Sequence, residues 1–116
     1  MSAGKHDFII EQGATFSKVL TWKDSTGTPI NLTGYSARMQ VRSSVEAAST
    51  IIELTTVNSR ITLGGVAGTI TLNISAADTT ALTAESGVYD LELVSGANVV
   101  TRLLEGNVII SKEVTR

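Results

Sequence analysis

A chain of 116 residues has room for one domain with its own core, and 42% hydrophobic against 17% charged residues argues against disorder. Nine Lys and Arg against eleven Asp and Glu leave a formal charge of −2, with no basic run to suit nucleic acid and no stretch nearing the roughly 20 apolar residues of a membrane helix. Cysteine is absent, which excludes disulfides, thiolate chemistry and cysteine-based metal sites.

Met1 to Asp7 lacks the apolar core of a signal peptide and reads as a flexible N-terminal arm (1–7) ahead of a single domain over 8–116. Phe16, Leu20 and Trp22 share one parity and Thr15, Ser17 and Thr21 the other, the alternation of a half-buried strand. Asp24-Ser25-Thr26-Gly27-Thr28-Pro29 then gathers turn formers and predicts a reversal. Tyr35, Ala37, Met39 and Val41 alternate with Ser36, Arg38, Gln40 and Arg42, the cleanest strand pattern in the chain. Ser43 to Ala48 is a polar link, and Ile52 and Leu54 begin another strand running towards Val57–Arg60.

Ile61-Thr62-Leu63 and Thr69 to Ile74 flank the glycine-rich Gly64-Gly65-Val66-Ala67-Gly68 as a hairpin, with Ile70, Leu72 and Ile74 facing inward. Ser75, followed three residues later by Asp78, is an acidic form of the capping box and predicts one short helix that plugs an end of the sheets. From Gly87, Tyr89, Leu91 and Leu93 alternate with Asp90 and Glu92, and Ser95-Gly96-Ala97-Asn98 turns the chain back. Val99 to Leu104 returns, and Val108-Ile109-Ile110 resumes after Gly106, which is expected to mark a bulge or a bend between sheets. Together these predict an all-β, antiparallel sandwich, immunoglobulin-like or jelly-roll-like, of about seven to eight strands with one short helix.

The residues offer little catalytic chemistry. His6 is the only histidine and has no second imidazole or thiolate to join it in a zinc site. Asp90 and Glu92 share a strand face as a glycosidase dyad would, but their parity opposite Leu91 and Leu93 points them to water. The Gly64–Gly68 run lacks the Lys-Ser or Lys-Thr of a phosphate loop, and Gly-x-Ser-x-Gly is absent. Trp22 shares parity with Phe16 and Leu20, which favours core packing over sugar stacking. No cofactor, metal or enzymatic activity is expected.

Two stretches carry a resemblance. Phe8-Ile9-Ile10-Glu11-Gln12-Gly13-Ala14-Thr15-Phe16 with Thr21-Trp22-Lys23-Asp24-Ser25-Thr26-Gly27-Thr28-Pro29-Ile30-Asn31-Leu32-Thr33-Gly34-Tyr35 resembles the opening of small phage and prophage virion proteins, in the manner of the N-terminal domain of siphophage upper baseplate proteins. Gly87-Val88-Tyr89-Asp90-Leu91-Glu92-Leu93 with Arg102-Leu103-Leu104-Glu105-Gly106 is similar to the closing hairpin of that group. The resemblance implies a bacteriophage structural protein of the tail, baseplate or an adaptor. Such a protein assembles in the bacterial cytoplasm, is a homo-oligomer or present in several copies in the virion, and binds other phage structural proteins rather than nucleic acid or membrane. A capsid decoration protein is the alternative, and a host-surface carbohydrate-binding module a third reading that needs Trp22 or Tyr35 exposed. Lys5, His6 and Asp7 of the arm, with Arg38 and Arg42 on the polar face of the cleanest strand, are the expected interface residues, because sheet edges and arginine's planar fork suit protein contacts.

Overall fold

The computed structural model describes residues 4–115. Its elements in chain order are β1 (Gly4–Lys5), β2 (Phe8–Glu11), β3 (Phe16–Thr21), β4 (Ser36–Arg42), β5 (Ile52–Thr55), β6 (Ile61–Leu63), β7 (Thr69–Ile74), α1 (Ala76–Thr80), β8 (Ser86–Val94) and β9 (Val100–Ser111). A three-residue 3-10 turn, Gly65–Ala67, joins β6 to β7.

Alternation settles which residues enter the core. Along β4 and β8 every second side chain is buried, and Val41, Leu54, Leu72, Leu91 and Leu93 are fully enclosed between two sheets. The larger sheet runs β1-β9-β8-β4-β5, with β2 also on β9, and the smaller runs β3-β7-β6. This is the strand order of an immunoglobulin-like sandwich, in which the second, fifth and fourth strands form one sheet and the last two join the third in the other. Of the two architectures read from the sequence, it is the immunoglobulin-like one. It lacks the cysteine pair that links the sheets in antibody domains, so packing takes the place of a disulfide between them.

The N-terminal segment departs from the expected antiparallel pattern. Residues 1–3 lie outside the described residues. Gly4–Lys5 and Phe8–Glu11 both run parallel to β9 with one constant register, from Gly4 opposite Leu104 to Glu11 opposite Ser111. Residues 4–7 are therefore laid along the sheet rather than held out as an arm. The physical reason lies in Phe8 and Ile10, whose burial between the sheets pins the strand.

The strand is interrupted at His6 and Asp7. Asn107 donates its N–H to Asp7 Oδ1 at 2.8 Å, and the Tyr89 hydroxyl donates to the His6 carbonyl at 2.5 Å. Gly106 lies directly beneath, where any Cβ would collide with the His6 carbonyl oxygen. So Gly106 is a site of close approach and not the bend expected from the sequence. β9 continues through it, and the bulge sits at Leu103, which the register skips between the pairs Leu91–Leu104 and Glu92–Arg102.

The helix forms as expected. Ser75 Oγ accepts the Asp78 N–H at 3.2 Å, and Thr79, the one buried polar residue among those described, donates its hydroxyl to the Ala14 carbonyl and accepts the Gly13 N–H. That clasp, with Leu82 beneath it, closes one end of the sandwich. The Asp24–Thr28 reversal is held by Asp24 Oδ1, which accepts from the Thr26 and Thr28 N–H groups and from the Thr26 hydroxyl; these bonds hold its carboxyl below the usual carboxylate range.

Candidate interaction surface

The same alternation that buries one set of side chains aims the other at solvent. On the larger sheet, β4 turns out Arg38, Gln40 and Arg42, β8 turns out Asp90 and Glu92, and β9 turns out Arg102 and Glu105. Registers set these side by side, so cations and carboxylates interleave across neighbouring strands. Arg38 Nε lies 2.7 Å from Glu92 Oε1, Arg102 Nε 3.5 Å from Asp90 Oδ2, and Arg102 Nη1 3.6 Å from Glu105 Oε1. Lys5 extends the lattice to the sheet margin by pairing with Glu105. Gln40 ties it to β5 by donating to Glu53 Oε2 at 2.6 Å.

Two shallow depressions score this face, of about 480 and 360 Å³, and they share Gln40 and Asp90. Lys5, Asp7 and Arg42 line the first and Arg38 the second, so four of the five interface residues expected from the sequence meet on one surface. His6 lines neither. Its ring packs edge-on against Phe8 at 4.8 Å, and its backbone bonds to Glu105 and Tyr89.

Arg42 acts differently from Arg38. It donates to the Ala47 carbonyl and to Gln40 Oε1, both at 2.8 Å, and so anchors the 43–50 link against the sheet. Arg102 and Glu105 complete the lattice with Asp90 and Glu92, and their part in it depends on the Leu103 bulge. The bulge restores outward parity to Arg102 while leaving Leu104 inward, a shift that strict alternation along the sequence does not contain.

The lattice perturbs its own carboxylates in opposite directions. Burial beneath its neighbours, followed by repulsion from Glu92, pushes the Asp90 carboxyl up. The Lys5 hydrogen bond, with the charge behind it, holds the Glu105 carboxyl down. Tyr89, under the N-terminal strand, is pushed up by burial and by the nearby Asp7 charge.

Elsewhere the surface is plainer. The outer face of the smaller sheet carries Ser17, Val19 and Thr21, then Thr69, Thr71 and Asn73, then Thr62, with no charge among them. Trp22 and Tyr35 meet edge to face at 6.2 Å and pack, half-buried, against the core. Among the described residues, no group of three or more His, Asp or Glu side chains is placed to hold a metal ion.

Neither a family model nor a curated protein matches the sequence. Solved structures do resemble the fold. The extracellular domain of the voltage-gated sodium channel β4 subunit, whose parallel homodimers are described as explaining its role in cell–cell adhesion, shares 14% identity over 98% of both chains at a TM-score of 0.51. The immunoglobulin-like domain of mouse leukocyte-associated immunoglobulin-like receptor 1, solved as a strand-swapped dimer, shares 15% identity over 90% of this chain and 86% of that one at a TM-score of 0.49. At such identity the likeness bears on architecture alone, and the architecture is an all-β, immunoglobulin-like sandwich.

Proposed function

We propose that the chain is a structural subunit of a bacteriophage particle, a tail, baseplate or adaptor component, that joins other particle proteins through the charged outer face of its larger sheet. The observation that carries this reading is the interleaved lattice of Arg38, Glu92, Asp90, Arg102, Glu105 and Lys5. Arg38 is already held by its hydrogen bond to Glu92 and Arg102 lies between the carboxylates of Asp90 and Glu105, yet about half of each side chain stays open to solvent (54% for Arg38, 55% for Arg102). A partner that docks here adds hydrogen bonds to groups whose rotamer freedom is already reduced, which lowers the entropic cost of binding. Alternating charge also penalises a partner in the wrong register, the property an assembly needs.

The particle context rests on the resemblance of residues 8–16, 21–35, 87–93 and 102–106 to phage virion proteins. A capsid decoration protein would use the same face. Disrupted particles separated into heads and tails, each analysed for this polypeptide by mass spectrometry, distinguish the readings. Recovery with tails supports the tail or baseplate assignment, recovery with heads transfers the chain to the capsid, and absence from both overturns the particle reading.

A further inference from the structure

The sandwich has four strand edges, and three are blunted. β3 presents Lys18 at an inward-parity position, where it is nonetheless exposed, and a charge so placed obstructs a neighbouring strand. β6 has only three residues, and the outer backbone groups of β5 are already taken, since the Glu53 carbonyl accepts from Asn58 Nδ2 and Arg60 Nη1 and the Thr55 N–H donates to Asn58 Oδ1. β2 differs. It carries no proline or lysine, Phe8 and Ile10 hold it firmly from within, and Ile9 points outward beside Ile109, 61% and 50% exposed.

The backbone of this segment offers unpaired groups in a definite pattern. His6 and Gln12 donate to the carbonyls of Glu105 and Ser111, so the even-numbered residues face β9. Successive residues of a strand alternate sides, and Asp7 and Ile9 therefore direct their N–H and C=O groups away from the sheet.

We propose that this edge pairs antiparallel with the same edge of a second copy, Phe8 lying on the two-fold axis. Charge selects the register. With Phe8 opposite Phe8, Lys5 stands opposite Glu11 of the second copy at both ends, and Asp7 exchanges main-chain hydrogen bonds with Ile9. A shift of two residues either way sets Asp7 against Asp7 or Asp7 against Glu11, a like-charge contact that destabilises cross-strand pairs. In the selected register the two Ile9 side chains are diagonal neighbours across the seam, each backed by its own Ile109, and cover apolar surface that is otherwise wet. The larger sheets of the two copies become one continuous sheet, and the charged faces of both lie on the same side of it. This pairing goes beyond the particle reading and is tested on the purified chain alone.

The test is sedimentation of the full chain from about 10 μM to about 1 mM, a range that captures weak association. The wild type is expected to move from monomer to dimer mass with rising concentration. Ile9→Pro removes the outward N–H while leaving the bonds to β9 intact, since proline is tolerated where an edge N–H faces solvent; it is expected to stay monomeric with an unchanged near-ultraviolet spectrum. Glu11→Lys is expected to weaken the dimer about tenfold, because it sets two lysines against each other at both ends of the seam. A wild type that stays monomeric throughout, a dimer indifferent to Ile9→Pro, or a dimer indifferent to Glu11→Lys overturns the proposal.

Discussion

The two sheets are built alike on the inside and differently on the outside. Both send alternate aliphatic side chains into one core, Leu91 and Leu93 from the larger and Ile70, Leu72 and Ile74 from the smaller. Outward, the larger sheet carries interleaved arginines and carboxylates, whereas the smaller carries hydroxyls, Asn73 and Val19 without a charge. The larger also gains the N-terminal strand, which leaves the margin of the smaller bare behind Lys18. Identical burial physics thus fixes the inner faces, and the outer faces, free of that constraint, are where the two sheets diverge.

The largest effects should show the inner faces as equals. Leu91→Ala and Leu72→Ala, each at a fully buried position, are expected to cost about 2–5 kcal/mol in denaturant unfolding, and a much cheaper loss in one sheet would break the symmetry of the core. Next comes the added strand. Gly106→Ala places a methyl against the His6 carbonyl and is expected to cost about 1–3 kcal/mol, with hydrogen-exchange protection of residues 4–7 lost first.

Smaller effects should separate Asp90 on the charged face from Asp78 beside the helix. Asp90 has a folded-state pKa raised above 3.8, so its ionised form opposes folding at neutral pH and the opposition fades as pH falls through that raised value. Asp90→Asn is expected to be at least as stable as wild type at pH 7, an advantage that vanishes below about pH 3.8 in thermal melts. Asp78, paired with Arg60 beside the helix at 2.8 Å, has its pKa lowered, and the sign reverses. Its contribution is present above 3.8 and lost as pH falls through the lower folded value, so Asp78→Asn is expected to be less stable than wild type at pH 7 and to converge with it in acid. The smallest effects belong to the outer faces themselves. Arg38→Glu and Thr71→Ala should each change stability by no more than about 0.5 kcal/mol. Only the first should disturb assembly.

What could be read from the sequence was local. Strict alternation in Tyr35–Val41 and Tyr89–Leu93, the Ser75–Asp78 cap and the Gly64–Gly68 hairpin depend on neighbours along the chain, and each stands where its pattern placed it. The parallel pairing of β2 with β9 joins residues about a hundred positions apart, and no local period encodes it. Gly106 looked like a bend because its true reason, the overlying His6 carbonyl, comes from the other end of the chain. For the same reason Arg38 and Arg42 could be placed on a polar face, while their unlike partners, Glu92 on β8 and the Ala47 carbonyl in the 43–50 link, required the folded register.

Docking in the particle through the charged face of the larger sheet would cover Arg38 and Arg102. Arginine-directed covalent labelling of the free chain and of intact particles, read by peptide mass spectrometry, tests it directly. Arg38 and Arg102 are expected to react in the free chain and to be protected in the particle, while Arg60, at the helical end of the sandwich, reacts in both. Equal labelling of Arg38 and Arg102 in the two states, or protection confined to Arg60, would contradict it.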